Sequence, residues 1–161
     1  MAFISVTRLR LRSIRFFPPF LWWGLLSGVQ AKRAPGNLKA AGLRDLHLTF
    51  WTLTAWTDEH AMRAFMLSGA HQRVMPKLFN WCDEASVVHW NQETAELPSW
   101  SEAHRRMVED GRQSRVQHPS DSQRAKRVTP PSGIGPLMSG RNTRRVPRRR
   151  ASLHRFGKDH V

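Results

Sequence analysis

The chain has 161 residues with 26 Lys and Arg against 12 Asp and Glu, a formal net charge of +14; this length suits one domain of ordinary size and argues against a multidomain assembly. The charge is concentrated: residues 1–111 hold 13 Lys and Arg against 10 Asp and Glu, while residues 112–161 hold 13 against 2, with one aromatic, Phe156. All seven Trp precede residue 101, and the one cysteine, Cys82, excludes an intramolecular disulfide and any cysteine-cluster metal site.

A first strand is expected from Phe3 to Arg12, because Thr7 to Arg12 alternates strictly between short or apolar residues and arginines. The same stretch imitates a secretory signal: Arg8, Arg10, Arg12 and Arg15 precede an apolar run from Phe16 to Val29, and Val29-Gln30-Ala31 resembles a cleavage site. The alternation and the Pro18-Pro19 break favour a strand followed by a core-facing helix, Pro19 to Lys32, begun by proline. From Phe20 to Val29 there are ten residues, about half of the roughly 20 that span a bilayer, so no membrane span is expected. Ala34-Pro35-Gly36-Asn37 then forces a turn.

Leu38 to Arg44 and Leu48 to Thr57 read as two strands joined by the short loop Asp45-Leu46-His47. In the second, Phe50-Trp51-Thr52-Leu53-Thr54-Ala55-Trp56 suits a pleated surface with apolar groups on both faces. Thr57-Asp58-Glu59 supplies a cap and early negative charge for a helix carrying Ala61, Met62, Phe65 and Met66, with Gly69 placed to end it. His71, Val74, Met75, Leu78 and Cys82 continue as a second short helix that Pro76 should kink or restart. Ala85 to Asn91 is a fourth strand. Ser99-Trp100-Ser101-Glu102 matches a capping box and opens a final helix closed by Gly111.

The order is β-α-β-β-α-β plus a terminal helix, an α+β chain with the ferredoxin-like pattern of four antiparallel strands and both helices on one face. The opposite face, with its own Trp and Leu, needs a second partner, which predicts dimerisation or a ligand cavity. Residues 1–111 are the expected domain. Residues 112–161, basic and proline-rich, have too little apolar surface to offset chain entropy and are expected to form a disordered tail.

No GxGxxG, P-loop, HExxH, GxSxG or CxxC occurs, and Tyr is absent. The side chains left to carry chemistry are Trp51, Trp56, His71, Trp81, Cys82, His89 and Trp90. His71 can satisfy the last carbonyls of the preceding helix or act as base, acid or ligand. Cys82 has no local cation and reads as a buried, inert thiol. The Trp residues fill a core, an interface or the wall of a flat aromatic pocket. In the tail, Arg144-Arg145 and Arg148-Arg149-Arg150 can contact phosphates without reading bases, and Arg148 to Ser152 matches a basophilic kinase site over five residues.

The stretch Phe50 to Glu59, followed by Ala61-Met62-Arg63-Ala64-Phe65 and Ser68-Gly69-Ala70-His71, resembles the spheroidene-monooxygenase-like and antibiotic-biosynthesis-monooxygenase-like proteins of the dimeric α+β barrel superfamily. Met75 and Trp81 fit the same helix end, and the resemblance spans roughly residues 3–95. It implies a homodimer whose sheets meet in a barrel, with a cleft between sheet and helices in each subunit. It further implies a cytoplasmic oxygenase-type protein that binds a hydrophobic aromatic, isoprenoid or tetrapyrrole-like ligand, with haem or no cofactor. His71 is then the catalytic acid/base or haem-ligand candidate, Trp51, Trp56, Phe65, Met75 and Trp81 the pocket candidates, and no metal site is expected. Phe65 stands where haem-degrading relatives have Trp, and Met75 near their His, so that chemistry is not carried over. The alternative is a non-catalytic dimeric binding module whose basic tail contacts nucleic acid or acidic surfaces.

Overall fold

The period-two pattern of the N-terminus belongs to a strand, β1 (Ala2–Leu11), in the computed structural model, which describes residues 1–141 and, for 133–141, the backbone alone. A 3-10 turn, Ile14–Phe16, leads into α1 (Phe17–Arg33), where Pro18 and Pro19 occupy the first turn and their missing N–H groups cost nothing. The antiparallel hairpin of β2 (Asn37–Asp45) and β3 (Thr49–Trp56) comes next. The Asp58 carboxylate accepts the Ala61 N–H at 2.8 Å and starts α2 (Glu59–Met66). Then come α3 (Gly69–Trp81), β4 (Cys82–Gln92) and α4 (Trp100–Asp110), which is capped by Ser99 Oγ accepting the Glu102 N–H at 3.1 Å. Part of the apparent leader sequence is therefore an inner strand, and no helix among the described residues is long and apolar enough to cross a membrane.

Two local expectations change. Leu67 closes α2, and Gly69 instead opens α3 at φ +56°, a left-handed backbone that glycine adopts without strain. α3 runs on through Pro76, held by buried Val74 on one side and by Leu78, packed into an aromatic cluster, on the other. Gly111 closes α4 as expected, at φ −67°, where its smallness rather than its handedness matters: a Cβ there would run into the Met107 carbonyl.

The sheet is antiparallel, with β4-β1-β3-β2 at its centre, the ferredoxin-like order. β5 (Arg112–Gln113) extends the β4 edge and β6 (Gly133–Arg141) the β2 edge. Pleating sends alternate residues to opposite faces. Towards α1, α2 and α3 point Phe3, Leu9, Leu11, Phe50 and Trp56, in two separate clusters. Towards α4 point Ile4, Val6, Trp51, Leu53 and Val88, sealed by Ala103 and Met107 of that helix, with Trp100 and Val128 at the margin. The second face, expected to need an external partner, is covered by the chain's own α4.

The residues after 111 also depart from expectation as far as they are described. From Arg112 the chain wraps the β4 edge: the Ser114 N–H reaches the Ala85 carbonyl at 2.9 Å, the Gln117 N–H reaches Phe79, and the Ser120 N–H reaches Asp83. Gln123, in the short helix α5 (Asp121–Arg124), is buried; it accepts the Ala85 N–H and donates to the Ala85 and Ser114 carbonyls. This segment is held by hydrogen bonds to a strand edge more than by apolar area, which composition cannot register. The arginine clusters from Arg144 onward and the Arg148–Ser152 motif lie outside the described residues.

Candidate functional site

The corner between α2 and α3 is the best-built polar junction on the helix side. Gln30, the lone amide in the apolar second half of α1, donates through Nε2 to the Ser68 carbonyl at 2.9 Å and the Phe65 carbonyl at 3.3 Å. Its Oε1 accepts the His71 N–H at 3.0 Å. Any Cβ on Gly69 would crowd this amide at 2.8 Å, so Gly69 is required by space as well as by backbone angle. Sequence reading missed Gln30; its signal is a single amide in an otherwise largely apolar helix, on the same helix face as the half-buried Ser27.

His71 is half-buried, with Nδ1 3.1 Å from the Met66 carbonyl, the last residue of α2. Since a carbonyl only accepts, Nδ1 carries the proton and Nε2 keeps its lone pair. Burial lowers the His71 pKa, opposed in part by that hydrogen bond, so the ring is held neutral. Its ring lies 4.7 Å from Phe65, which in turn stacks on Trp56 at 5.1 Å. Three of the expected site residues thus form one continuous aromatic pile.

The others do not join it. Trp51 and Trp56 are five residues apart on one strand, an odd spacing that puts them on opposite faces; both are fully buried. Trp51 lies under α4, 6.3 Å from His104. Trp81 packs on Phe16 at the far end of the helix face, and Met75 is exposed on α3. His89 is half-buried near Phe3, and burial together with Arg112 lowers its pKa. Cys82 is buried and its thiol is pushed up to about 12 by burial and then by Asp83, which makes it the inert group expected.

Two open regions are found on the helix side among the described residues. A groove of about 760 Å³ runs between the C-terminal half of α1 and α2, lined by Leu26, Val29, Arg33, His60, Ala64 and Phe65 among others. That size falls within the range of small-molecule sites. The second is an unpacked floor between the two aromatic clusters: Thr52 is exposed and Thr7 half-buried, although β3 and β1 are inner strands. Neither hydroxyl makes a hydrogen bond within the described residues. Three His, Cys, Asp or Glu side chains never cluster as a metal would need among the described residues.

A different polar centre lies on the α4 face. Arg8 Nη1 meets Glu84 Oε2 at 2.6 Å with both side chains almost fully buried, Arg10 Nη1 reaches Glu84 Oε1 at 3.0 Å, and Ser120 Oγ donates to the same oxygen at 2.8 Å. Arg8 Nη2 donates to Thr129 Oγ1 at 2.9 Å. The pair ties residues 120–129 to the sheet. It has full internal partners for its carboxylate and is not open to a ligand.

None of the curated proteins matches the chain. Among solved structures, a conserved protein from Methanosarcina mazei Go1 superposes with a TM-score of 0.52 at 14% identity, covering 58% of this chain and 94% of that one. SnoaB, a cofactor-independent oxygenase from Streptomyces nogalater, gives 0.48 at 17% identity over 61% and 98%. NE2512, a protein of unknown function from Nitrosomonas europaea, gives 0.49 at 18% over 61% and 95%. The first of these likenesses supports the fold and nothing beyond it. The sequence of residues 26–118, running from the second half of α1 through α4 and β5, matches the family described as Domain of unknown function (DUF3291), and since this is more than half of the chain, the protein belongs to that family.

Proposed function

We propose that the protein binds a flat, hydrophobic aromatic, isoprenoid or tetrapyrrole-like molecule in the groove between α1 and α2, and acts on it as an oxygenase-type enzyme. The groove is the observation that carries this reading: its apolar wall is Phe65, backed by Trp56 and His71, and Arg33, Asp58 and His60 supply polar groups at its margin. Its lining is more apolar than polar, which favours a largely hydrophobic ligand. His71 is the proposed acid/base, because its neutral ring keeps the Nε2 lone pair; it stands behind Phe65 and not in the groove lining, so this role requires the Phe65 ring to turn aside. A homodimer belongs to this reading, with its contact outside the face that α4 covers.

The test uses the full chain with three probes, anthrone, retinol and haemin, followed by tryptophan quenching and the Soret band. Ala64→Trp, at an exposed position on α2, should fill the groove, weaken binding at least tenfold and leave the urea midpoint unchanged. Thr52→Trp, which fills the floor instead, should bind as wild type. Binding lost in Thr52→Trp and kept in Ala64→Trp would move the ligand to the floor, and no binding of any probe would end the proposal. For the chemistry, His71→Gln should abolish substrate-dependent oxygen uptake while retaining probe binding.

A further inference from the structure

α1 turns an apolar stripe outward. Trp22, Leu25, Leu26 and Val29 follow i, i+3, i+4, i+7 spacing, which is one helix face, and they are 62%, 51%, 38% and 48% exposed. α3 also presents exposed Met75 and Phe79. Residues of this kind are normal singly, but gathered on adjoining helices they mark a surface that something covers.

Charge indicates what that is. The first acidic residue of the chain is Asp45, so β1, α1 and most of β2 contain none, and α3 contains none either. Arg15, Lys32, Arg33, Arg73 and Lys77 all lie on these helices or the turn before them, and none is ion-paired among the described residues. Two of the charged heads lie over aromatic rings: the Arg15 guanidinium is 4.7 Å over Phe16, and Lys77 Nζ is 5.9 Å from the Trp23 ring. An exposed apolar helix stripe flanked by unpaired cations is the pattern of a helix lying in a bilayer interface. A second copy docking through the same face would bring these cations against one another with no carboxylate to answer them, which disfavours self-association there.

We propose that the α1–α3 face docks on an anionic phospholipid bilayer, with Trp22, Leu25, Leu26 and Val29 at the boundary of headgroups and acyl chains and the five cations on lipid phosphates and carboxylates. α1 has 17 residues and lies along the surface rather than across it. The docking face adjoins the ligand groove, with Leu26, Val29 and Arg33 shared between them, whereas Trp22 and Leu25 belong to the docking face alone.

The experiment sediments the full chain with sucrose-loaded vesicles in 0.15 M NaCl. Vesicles of phosphatidylcholine with about 30% phosphatidylserine should carry the protein down, and pure phosphatidylcholine should bind it at least tenfold less, as expected for electrostatic attraction to anionic lipid. Trp22→Ser/Leu25→Ser keeps every charge, including those of residues 142–161, and should lower the partition coefficient at least tenfold while leaving the circular dichroism spectrum unchanged. Undiminished binding by this variant would assign lipid attraction to charge elsewhere and overturn the proposal. So would equal binding to both vesicle types. Sedimentation velocity without lipid supplies the last arm: a dimer that the same double substitution dissolves would give the face to a second copy instead.

Discussion

The two faces of one sheet are finished in opposite ways. On the α4 side, Ile4, Val6, Trp51, Leu53 and Val88 are closed over by Ala103 and Met107, and the charged end of that face is neutralised internally by Arg8, Glu84, Ser120 and Thr129. On the other side, three helices cover only the ends. Two aromatic clusters leave Thr52 exposed between them, and the groove beside α2 stays open. Stability is thereby concentrated on one face and room for a ligand on the other. The face that a ferredoxin-like sheet alone leaves bare, and that the resemblance assigned to a partner's sheet, is occupied here by a helix lying within the family's own span.

The largest test of the closed face is its ion pair. Glu84→Ala leaves the Arg8 guanidinium buried without its carboxylate and frees Ser120, and should destabilise the protein by about 3 to 5 kcal/mol, read from urea unfolding. Arg8→Met/Glu84→Leu removes both charges and should recover most of that loss, because well-packed apolar residues replace a buried pair at little net cost. If Glu84→Ala costs no more than an exposed substitution, the α4 face is hydrated and the contrast between faces fails.

A smaller effect sharpens the comparison directly. Met107→Ala opens a cavity beneath α4 and should cost about 2 to 4 kcal/mol, whereas Thr52→Val, at an exposed position on the opposite face of the same region of sheet, should stay within about 0.5 kcal/mol. Equal costs at the two positions would mean that the helix-side floor is packed after all.

How far the sequence carried this picture depends on the kind of interaction. The strands, the Asp58 and Ser99 caps and the ferredoxin-like order were legible because alternation and capping are local. So was the placement of His71 on the last carbonyl of α2, which needed only a spacing of five residues. The parity that separates Trp51 from Trp56 was present in the sequence too, but counting tryptophans hid it. What could not be read are contacts between distant segments: Gln30 clamping Ser68 and His71, Glu84 holding Ser120, and Gln123 hydrogen-bonded to the edge of β4. These rest on single polar atoms meeting across 36 to 41 residues, and neither periodicity nor composition carries that information. For the same reason the residues just past 111 look like tail by charge and proline content, yet they wrap the sheet.

The smallest expected effect concerns acidity and belongs to the open side alone. His71 and His89 both have lowered pKa values, chiefly through burial. The folded state therefore takes up their protons at lower pH than the unfolded chain, whose imidazoles titrate near about 6.5. Above that range both states are neutral and the stability is fully present. As pH falls through it, the unfolded chain binds protons that the folded protein refuses, so unfolding becomes progressively easier until the folded histidines titrate in turn. Urea midpoints measured from pH 7.5 down to 5 should fall for the wild type, and His71→Gln should flatten that slope, because an amide can still donate to the Met66 carbonyl without carrying a charge. An unchanged slope in His71→Gln would mean that the ring protonates freely in the folded protein. The aromatic pile of Trp56, Phe65 and His71 would then be open to water, and His71 would lose its standing as a base held neutral by burial.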